Sequence, residues 1–236
     1  MSASDDKVLL SGVSAIKLAL LAQQARSQSQ ALLSADPVAV IGMGCRLPGG
    51  VRNPEDFWKL LANRVDAVSD VPHGRWDVDA LYDPDPSVPG KMATKRGGFI
   101  GDISGFDATY FGILRREAER MDPQQRLLLE VAIEALDHAG LPRQKLAGSR
   151  TGMFVASYYN DYAQLQYGDP ESIDSRTLTG TLHSVLASRL SFLLDLRGPN
   201  VSVDTACSSS LVAIHLACQS LRSGESDPRS STETPA

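Results

Sequence analysis

The sequence has 236 residues, of which 42% are hydrophobic, so the chain is long enough to bury one sizeable core or a core with an appendage. Its formal net charge of −5 and the absence of any basic run argue against a nucleic-acid partner and against an anionic membrane surface. The three cysteines are scattered, without a CxxC pair or a Cys/His metal-ligand spacing, which predicts a reducing, cytoplasmic setting and no metal site.

The first segment, residues 1–36, is predicted to be an appendage to the main domain. Its start is neither a basic secretory signal nor a transit sequence, and its apolar stretch is too short to span a bilayer. Apolar residues recur at a helix-compatible spacing between Val8 and Leu21, and an Ala/Gln/Ser-rich run follows. We interpret the segment as a short amphipathic helix and a linker, which either docks a partner chain or packs on its own domain.

The run Pro37–Met43, PVAVIGM, predicts a buried strand that leads into a loop. Gly42 and Gly44 near its end suggest a dinucleotide-binding fingerprint, but the third glycine of GxGxxG would fall at Leu47. The fingerprint is therefore excluded. Cys45, in the loop, is interpreted as a structural thiol.

Two helices are predicted to begin with an N-capping side chain followed by a proline in the first turn. Asn53 caps the first helix, and Asp122 caps the second, which Gly140 ends. The Pro- and Gly-rich residues 66–98 between them predict a packed surface excursion without long regular elements.

Polar residues of the second helix are predicted to be architectural. Asp122 is interpreted as a cap, and Arg126 as a partner in a local ion pair. His138 lies near the helix end, where a histidine interacts favourably with the helix dipole. The apolar residues predicted to form the buried face of this helix are Leu127, Leu128, Val131, Ala132, Ala135 and Leu136.

Two more elements are predicted before the last part of the chain. A second buried strand is predicted over Thr151–Ser157, and a further helix over Thr181–Leu196. His183, at the start of that helix, is interpreted as a structural residue.

The stretch Asn200–Gly224, NVSVDTACSSSLVAIHLACQSLRSG, predicts a strand, a sharp turn and a buried helix, with Cys207 at the turn. The N–H groups at a helix N-terminus carry partial positive charge, which stabilises a thiolate and can also face an oxyanion. Cys207 is therefore the candidate nucleophile. The alternative is that it is a small buried hydrophobic residue. Cys218, in the middle of the helix, is interpreted as structural.

Spacing excludes several other chemistries at Cys207. A phosphatase loop needs an arginine about six positions beyond the cysteine, where Ala213 stands. A hydrolase nucleophile elbow needs glycines two positions on either side, where Thr205 and Ser209 stand. His215 lies roughly 12 Å along the same helix, too far to be a direct base for the thiol.

The run Asp204–Leu211, DTACSSSL, resembles the active-site signature of β-ketoacyl synthases, in particular the ketosynthase domains of modular type I polyketide synthases. IGMGCRLPGG, RWDVDALYDPDP and MDPQQRLLLE resemble further signatures of that family, and the resemblance covers about Pro37–Asp227. It implies an α/β structure, the N-terminal half of a thiolase-like αβαβα layered fold, truncated after the active-site helix. Residues 228–236 are predicted to be a polar, disordered tail.

The resemblance also implies a reaction. Cys207 takes an acyl group from the phosphopantetheine arm of an acyl carrier protein, and then gives it up to a carbanion made by decarboxylating a malonyl-type extender. It implies no bound metal or nucleotide. The implied partners are the acyl carrier protein, other polyketide synthase domains or modules, and a second copy that forms a homodimer through the strand before Cys207.

One part of the implied machinery has no counterpart in the sequence. In the family, two histidines well downstream of the cysteine stabilise the enolate, and none of the four histidines here lies at such a distance: His73, His138, His183 and His215. We therefore expect an incomplete domain without autonomous condensation. The alternative function is a non-catalytic docking or dimerisation fragment.

The fold that the resemblance implies predicts an uncovered apolar surface. A patch of several hundred Å² that lacks its covering half forfeits roughly 10 kcal/mol, which is comparable with the stability of a whole domain. We expect poor solubility or self-association. The tyrosines that follow the second strand, Tyr158, Tyr159, Tyr162 and Tyr167, are open to two interpretations: they line an acyl channel, or they pack the loop.

Overall fold

The computed structural model of the protein describes residues 14, 16–24 and 37–227, without the side chain of residue 172. The chain divides into two compact units, Met1–Ala39 and Val40–Ala236. In the first unit, residues 16–24 are helical, and the Ser14 hydroxyl accepts a hydrogen bond from the Lys17 N–H at 3.3 Å. Ile16 and Leu20 on this helix are exposed. The predicted linker and tail lie outside the described residues.

The second unit is a mixed arrangement of short strands and helices. Its elements are α1 (Pro54–Ala62), β1 (Ser69–Asp70), α2 (Val78–Leu81), β2 (Arg96–Gly97), α3 (Arg115–Ala118), α4 (Pro123–His138), β3 (Met153–Ala156), α5 (Asp161–Tyr167), α6 (Ser175–Thr181), α7 (His183–Leu193), β4 (Asn200–Val203) and α8 (Ser209–Ser223). Three single 3₁₀ turns lie between them, at Arg143–Lys145, Pro170–Ser172 and Ala206–Ser208. No helix of the described residues is long and apolar enough to cross a membrane.

The capping signals of α1 and α4 are confirmed. The Asn53 side chain accepts from the Asp56 N–H at 2.8 Å, and the Asp122 side chain accepts from the Gln124 N–H at 2.8 Å. Both helices have a proline in the first turn. Gly140 follows α4 with a φ of 66°, a left-handed conformation that glycine adopts without steric cost.

The predicted strand over Pro37–Met43 is wrong for this structure. No strand is assigned there, and the side chains of Val40 and Ile41 are 79% and 64% exposed. The apolar run predicts a strand because it is suited to a sheet interior, but a strand also needs a neighbour to satisfy its N–H and C=O groups. Among the described residues, no strand pairs with it.

The end of this run and the residue that follows it lie against α4 instead. A Cβ atom on Gly42 would stand 2.2 Å from the Ala135 carbonyl oxygen, and one on Gly44 would stand 2.5 Å from the Val131 carbonyl oxygen, so both positions require glycine. The Met43 N–H donates to Nδ1 of His138 at 3.2 Å. His138 therefore accepts a hydrogen bond from a neighbouring segment, a contact that the prediction of a dipole partner did not include.

Arg126 also differs from its prediction. Its guanidinium donates to the Ser104 carbonyl at 3.0 Å, not to a carboxylate of its own helix. The buried side of α4 differs too. The predicted apolar residues are half-buried, whereas Leu129 and Gln125, which do not belong to that set, are 1% and 2% exposed.

The core surrounds α4 and α7. Its buried members are Phe111, Ile113, Ala118, Met121, Leu129, Leu190 and Leu194. The single helix predicted over Thr181–Leu196 is interrupted at Leu182, whose extended backbone (φ −70°, ψ 131°) ends α6 before α7 begins. The Asp174 side chain caps α6 through a capping box with Thr177.

The strand predicted before Cys207 is confirmed and has a neighbour. β3 and β4 pair in parallel, with Met153 opposite Asn200 and Ala156 opposite Val203. Helices α7 and α8 both pack on this pair. Val155 of β3 contacts Leu186 and Ala187 of α7 in a second buried cluster. A separate antiparallel pair, β1 and β2, joins Ser69 to Gly97.

Helix α8 ends where predicted, at Gly224 with a φ of 72°. The prediction that it is buried is wrong for its large residues. Ser209, Ala213 and Ser220 are its buried side chains, whereas Leu211 and Ile214 are 70% and 60% exposed. An apolar spacing shows which residues are suited to burial, but a second surface must cover them.

Candidate active site

Cys207 occupies the turn between β4 and α8, inside the 3₁₀ turn Ala206–Ser208, and its side chain is exposed. The residue before it, Ala206, has a φ of 54°, which makes it one of three non-glycine residues with positive φ in the described chain. The left-handed conformation is unfavourable for a residue with a Cβ atom. The chain therefore makes a strained change of direction just before the thiol.

Side chains from both flanks hold this turn. The Asp204 carboxylate accepts from the Ala206 N–H at 2.9 Å, and the Ser209 hydroxyl accepts from the Thr205 N–H at 2.8 Å. The Ser209 hydroxyl also donates to the Ala206 carbonyl at 2.7 Å. The Ser208 hydroxyl donates to the Thr205 carbonyl at 2.8 Å. Short polar side chains that bond to nearby backbone favour turns and helix starts in this way.

Two of the four tyrosines after β3, Tyr158 and Tyr159, contact each other, and Tyr159 interacts electrostatically with Cys207. The rings of Tyr158 and Tyr159 have centroids 4.2 Å apart, and both residues are at least half exposed. A hydrogen bond with the Tyr158 side chain raises the pKa of Tyr159 above its usual value, and the negative charge of Cys207 adds to that effect. Tyr159 is therefore close enough to Cys207 for the two side chains to interact electrostatically.

The other two tyrosines pack the structure. The Tyr162 hydroxyl donates to the Glu119 carbonyl at 3.0 Å, and the Tyr167 hydroxyl lies 3.5 Å from the Thr181 hydroxyl. Both residues lie on α5 and not in a loop, so for them the structure supports a packing role on a helix. The Tyr159 carbonyl is itself anchored, at 2.8 Å from Nε2 of Gln124.

A polar cavity of about 280 Å³ lies beside β4, and no pattern in the sequence indicated it. Its lining residues belong to α7 and β4 or directly follow β3 and β4: Ser157, His183, Ser184, Ser188, Asn200, Ser202, Val203 and Asp204. Nε2 of His183 is 3.0 Å from the Tyr159 carbonyl oxygen, and the Ser202 hydroxyl is buried without a hydrogen-bond partner. His183, predicted to be structural, thus lies in the same cavity as Asp204.

The remaining cysteines and histidines do not gather at the turn. Cys45 and Cys218 are half-buried, as expected for structural thiols. His73 and His215 are exposed. In the part of the chain that the structure describes, no three His, Cys, Asp or Glu side chains are grouped to hold a metal ion.

Asp122 is buried and hydrogen-bonded within the fold, as expected for a residue with a structural role. It is 5% exposed, and burial raises the pKa of its carboxyl group, against the opposing effect of hydrogen bonds from Gln124. Its N–H donates to the Gly180 carbonyl at 2.8 Å, so the cap joins α4 to α6.

Comparison with known families gives a match over most of the chain. The family described as "Beta-ketoacyl synthase, N-terminal domain" matches residues 35–228. A component of the phenolphthiocerol/phthiocerol polyketide synthase of Mycobacterium tuberculosis is 53% identical over 218 residues, which are 92% of this chain and 14% of the relative. The pikromycin polyketide synthase component PikAII of Streptomyces venezuelae is 52% identical over 193 residues, 81% of this chain and 5% of the relative.

Solved structures agree with this match. The oxazolomycin ketosynthase domain from Streptomyces albus superposes with a TM-score of 0.73 at 37% identity, over 79% of this chain and 32% of that one. The ketosynthase from module 6 of the bacillaene synthase of Bacillus subtilis gives 0.70 at 36% identity, over 81% of this chain and 30% of that one. The chain thus has the fold of the N-terminal part of such domains and spans about a third of their length.

Proposed function

Because the chain belongs to the β-ketoacyl synthase family, we propose that Cys207 is its acyl-accepting nucleophile and that the chain provides the acyl-transfer part of a polyketide ketosynthase. The observation that carries this proposal is the place of the thiol. Cys207 is exposed on a strained turn at the start of α8, whereas Cys45 and Cys218 are half-buried. Access together with a position at a helix N-terminus is one of the settings that favour a nucleophilic cysteine.

The first step is a thioester exchange. The Cys207 thiolate attacks the carbonyl carbon of an acyl group carried on phosphopantetheine, and a tetrahedral oxyanion forms. When it collapses, the bond from the carbonyl carbon to the pantetheine sulfur breaks, and the departing sulfur takes up a proton, which balances the proton that the Cys207 thiol lost on becoming a thiolate. The Cys207 N–H, at the start of α8, is the candidate donor to the oxyanion. The acyl group then remains on Cys207.

The second step is the carbon–carbon bond formation of the complete domain. A malonyl-type extender loses carbon dioxide, the resulting carbanion attacks the acyl carbonyl, and the bond to the Cys207 sulfur breaks. The enolate formed by decarboxylation requires hydrogen-bond donors. The family resemblance assigns this role to two downstream histidines, and His215 is the one histidine that follows Cys207 in this sequence. We therefore assign acylation, and not decarboxylation, to the residues described.

The proposed partners follow from this chemistry. An acyl carrier protein delivers the phosphopantetheine thioester to the exposed face of the Cys207 turn. The relatives are large polyketide synthases, so the other partners are polyketide synthase domains or modules, together with a second copy of the chain. The chemistry takes place in the cytoplasm and requires no resident metal or nucleotide.

Intact-mass spectrometry tests the proposal directly. The purified chain is incubated with an acetyl-pantetheine thioester, beside Cys207→Ala and Cys218→Ala. We expect one acetyl adduct on the parent chain and on Cys218→Ala, and none on Cys207→Ala. An adduct that survives in Cys207→Ala, or no adduct on the parent chain, overturns the assignment.

A second candidate function is non-catalytic interaction within a synthase assembly. The exposed Leu211 and Ile214 favour it, because two large apolar side chains that lie in water on one helix provide a surface that a partner chain can cover. Mixing the chain with a separate polypeptide that carries the downstream part of a ketosynthase separates the two functions. Restored condensation supports a split enzyme, whereas a stable complex without acylation of Cys207 supports the interaction role.

A further inference from the structure

Ser209, the first residue of α8, has a buried side chain although it lies two positions from the exposed Cys207. It is 5% exposed. Its hydroxyl oxygen accepts from the Thr205 N–H at 2.8 Å, and the same hydroxyl donates to the Ala206 carbonyl at 2.7 Å. One side chain is therefore hydrogen-bonded to the backbone of both residues that precede the proposed nucleophile.

One of these two residues, Ala206, has a strained backbone conformation. Ala206 has a φ of 54°, which costs energy for any residue with a Cβ atom and persists where the surroundings hold it. Asp204 also contributes, through its 2.9 Å contact with the Ala206 N–H, but Asp204 is exposed to solvent. Ser209 is the buried one of these two side chains.

The positions involved are informative. In a hydrolase nucleophile elbow, glycines stand two residues on either side of the nucleophile, so that the sharp turn meets no side chain. Here those positions are Thr205 and Ser209, and they are hydrogen-bonded to each other. In the hydrolases the sharp turn is possible because the two positions carry no bulky side chain. Here a side-chain hydroxyl stabilises a sharp turn through a hydrogen bond.

We propose that Ser209 is a positioning residue for Cys207, whose buried hydroxyl holds the left-handed turn at Ala206 and so directs the thiol to the start of α8. The proposal rests on the proposed function of Cys207 as acyl acceptor. Ser209 does not contact the reacting atoms; it acts through the backbone of Thr205 and Ala206.

The first test compares two buried serines of the same helix. Ser220 is 2% exposed, and its hydroxyl lies 2.7 Å from that of Ser226, far along α8 from the turn. The rate of Cys207 acylation by an acetyl-pantetheine thioester is expected to fall about tenfold or more in Ser209→Ala, because the Thr205 N–H and the Ala206 C=O lose their side-chain partner. Ser220→Ala should stay within about twofold of the parent rate. An equal fall in both variants overturns the proposal, since the effect would then be one of general stability.

Two further experiments show whether the Ser209 hydroxyl is what matters, and whether it acts through the backbone conformation of Ala206. Ser209→Thr keeps the hydroxyl and should acylate faster than Ser209→Ala. In an Ala206→Gly background the left-handed turn carries no Cβ penalty, so Ser209→Ala should slow acylation by a smaller factor than it does beside Ala206. The same factor in both backgrounds overturns the claim that Ser209 holds this turn.

A parent chain that takes no acyl group would overturn the proposed function, and Ser209 is then judged by two other measurements. Ser209→Ala should accelerate hydrogen exchange of the Thr205 amide, which loses its acceptor. It should also slow iodoacetamide alkylation of Cys207 relative to Cys218, measured by peptide mapping, because the start of a helix favours a thiolate. Ser220→Ala should do neither. Unchanged exchange and alkylation in Ser209→Ala overturn the positioning role.

Discussion

Helices α4 and α8 have similar apolar spacings in the sequence, but the structure covers them very differently. α4 lies in the core, where Leu129 is 1% exposed. α8 contacts β3 and β4 through small residues such as Ala213, and its larger Leu211 and Ile214 are exposed. The first helix is held by apolar packing, and the second is held at its start by hydrogen bonds around the Cys207 turn.

The contrast shows what each helix contributes. The α4 region joins several elements, since Asp122 bonds to Gly180 and Gln125 bonds to Thr179. The α8 region carries the proposed nucleophile, a role that requires the start of the helix to be both ordered and accessible. Buried hydroxyl groups meet both requirements, because they fix the backbone without covering the thiol with large side chains.

The largest change in stability should come from Leu129→Ala in α4, and it is compared with Leu211→Ala in α8. Leu129→Ala removes buried methyl groups and leaves a cavity, so the free energy of unfolding should fall by about 2–5 kcal/mol. Leu211→Ala removes an exposed side chain and should change it by less than about 0.5 kcal/mol. Urea unfolding measures both. Similar losses in the two variants would show that α8 is covered in solution, and would remove the difference between the helices.

A smaller effect should come from an ion pair in the α4 region. The Arg189 side chain is 10% exposed, pairs with Glu117, and donates to Oε1 of Gln125 at 2.9 Å. Arg189→Met leaves these partners unsatisfied and should lower the free energy of unfolding by about 1–3 kcal/mol.

The matched control is the exposed pair of Arg115 and Glu119 at α3, where the Arg115 side chain is 91% exposed. Arg115→Met should cost less than about 0.5 kcal/mol, because water screens the pair. If the two arginine variants lose equal stability, burial is not what gives the Arg189 pair its importance.

The elements that the sequence predicted well are those defined by local chemistry. Asn53 and Asp122 cap their helices, and the strand, turn and helix around Cys207 follow from residues adjacent in the chain. The DTACSSSL motif led to the correct family for the same reason, since the motif is contiguous.

What was missed depends on contacts between distant residues. The run Pro37–Met43 has the composition of a strand, but no described strand lies beside it, and Gly42 near its end lies against the α4 backbone instead, as does the following Gly44. The bond between Met43 and His138 joins positions 95 residues apart. The role of Ser209 was not visible either, because a serine at a helix start predicts a cap and not a contact with Ala206.

A third effect concerns pH and Asp122. Burial raises the pKa of this carboxyl group, so the folded protein binds its proton more tightly than the unfolded chain does. The stabilising effect of that proton is complete below the unfolded pKa of about 3.9 and is lost as pH rises through the higher folded pKa.

Asp122→Asn keeps an oxygen that accepts from the Gln124 N–H but removes the titration. Relative to the parent chain, the variant should therefore gain stability between pH 4 and pH 7. Glu130, whose pKa burial also raises, is present in both proteins and cancels in the difference. The measurement is urea unfolding of both proteins at the two pH values. A difference that does not change with pH would mean that the Asp122 carboxyl is solvated, and that α4 is more open than the structure shows.

The smallest expected change in stability concerns the exposed side of α8. Leu211→Ser with Ile214→Ser removes two large apolar side chains from water, and should leave the free energy of unfolding within about 0.5 kcal/mol of the parent value. Self-association, measured by sedimentation velocity over a range of protein concentrations, should nevertheless decrease, because an uncovered apolar patch promotes association. Leu165→Ser on α5 is the control, since Leu165 is 76% exposed but lies on another helix. If Leu165→Ser reduces association as much as the double variant does, general surface hydrophobicity and not the α8 face brings the chains together.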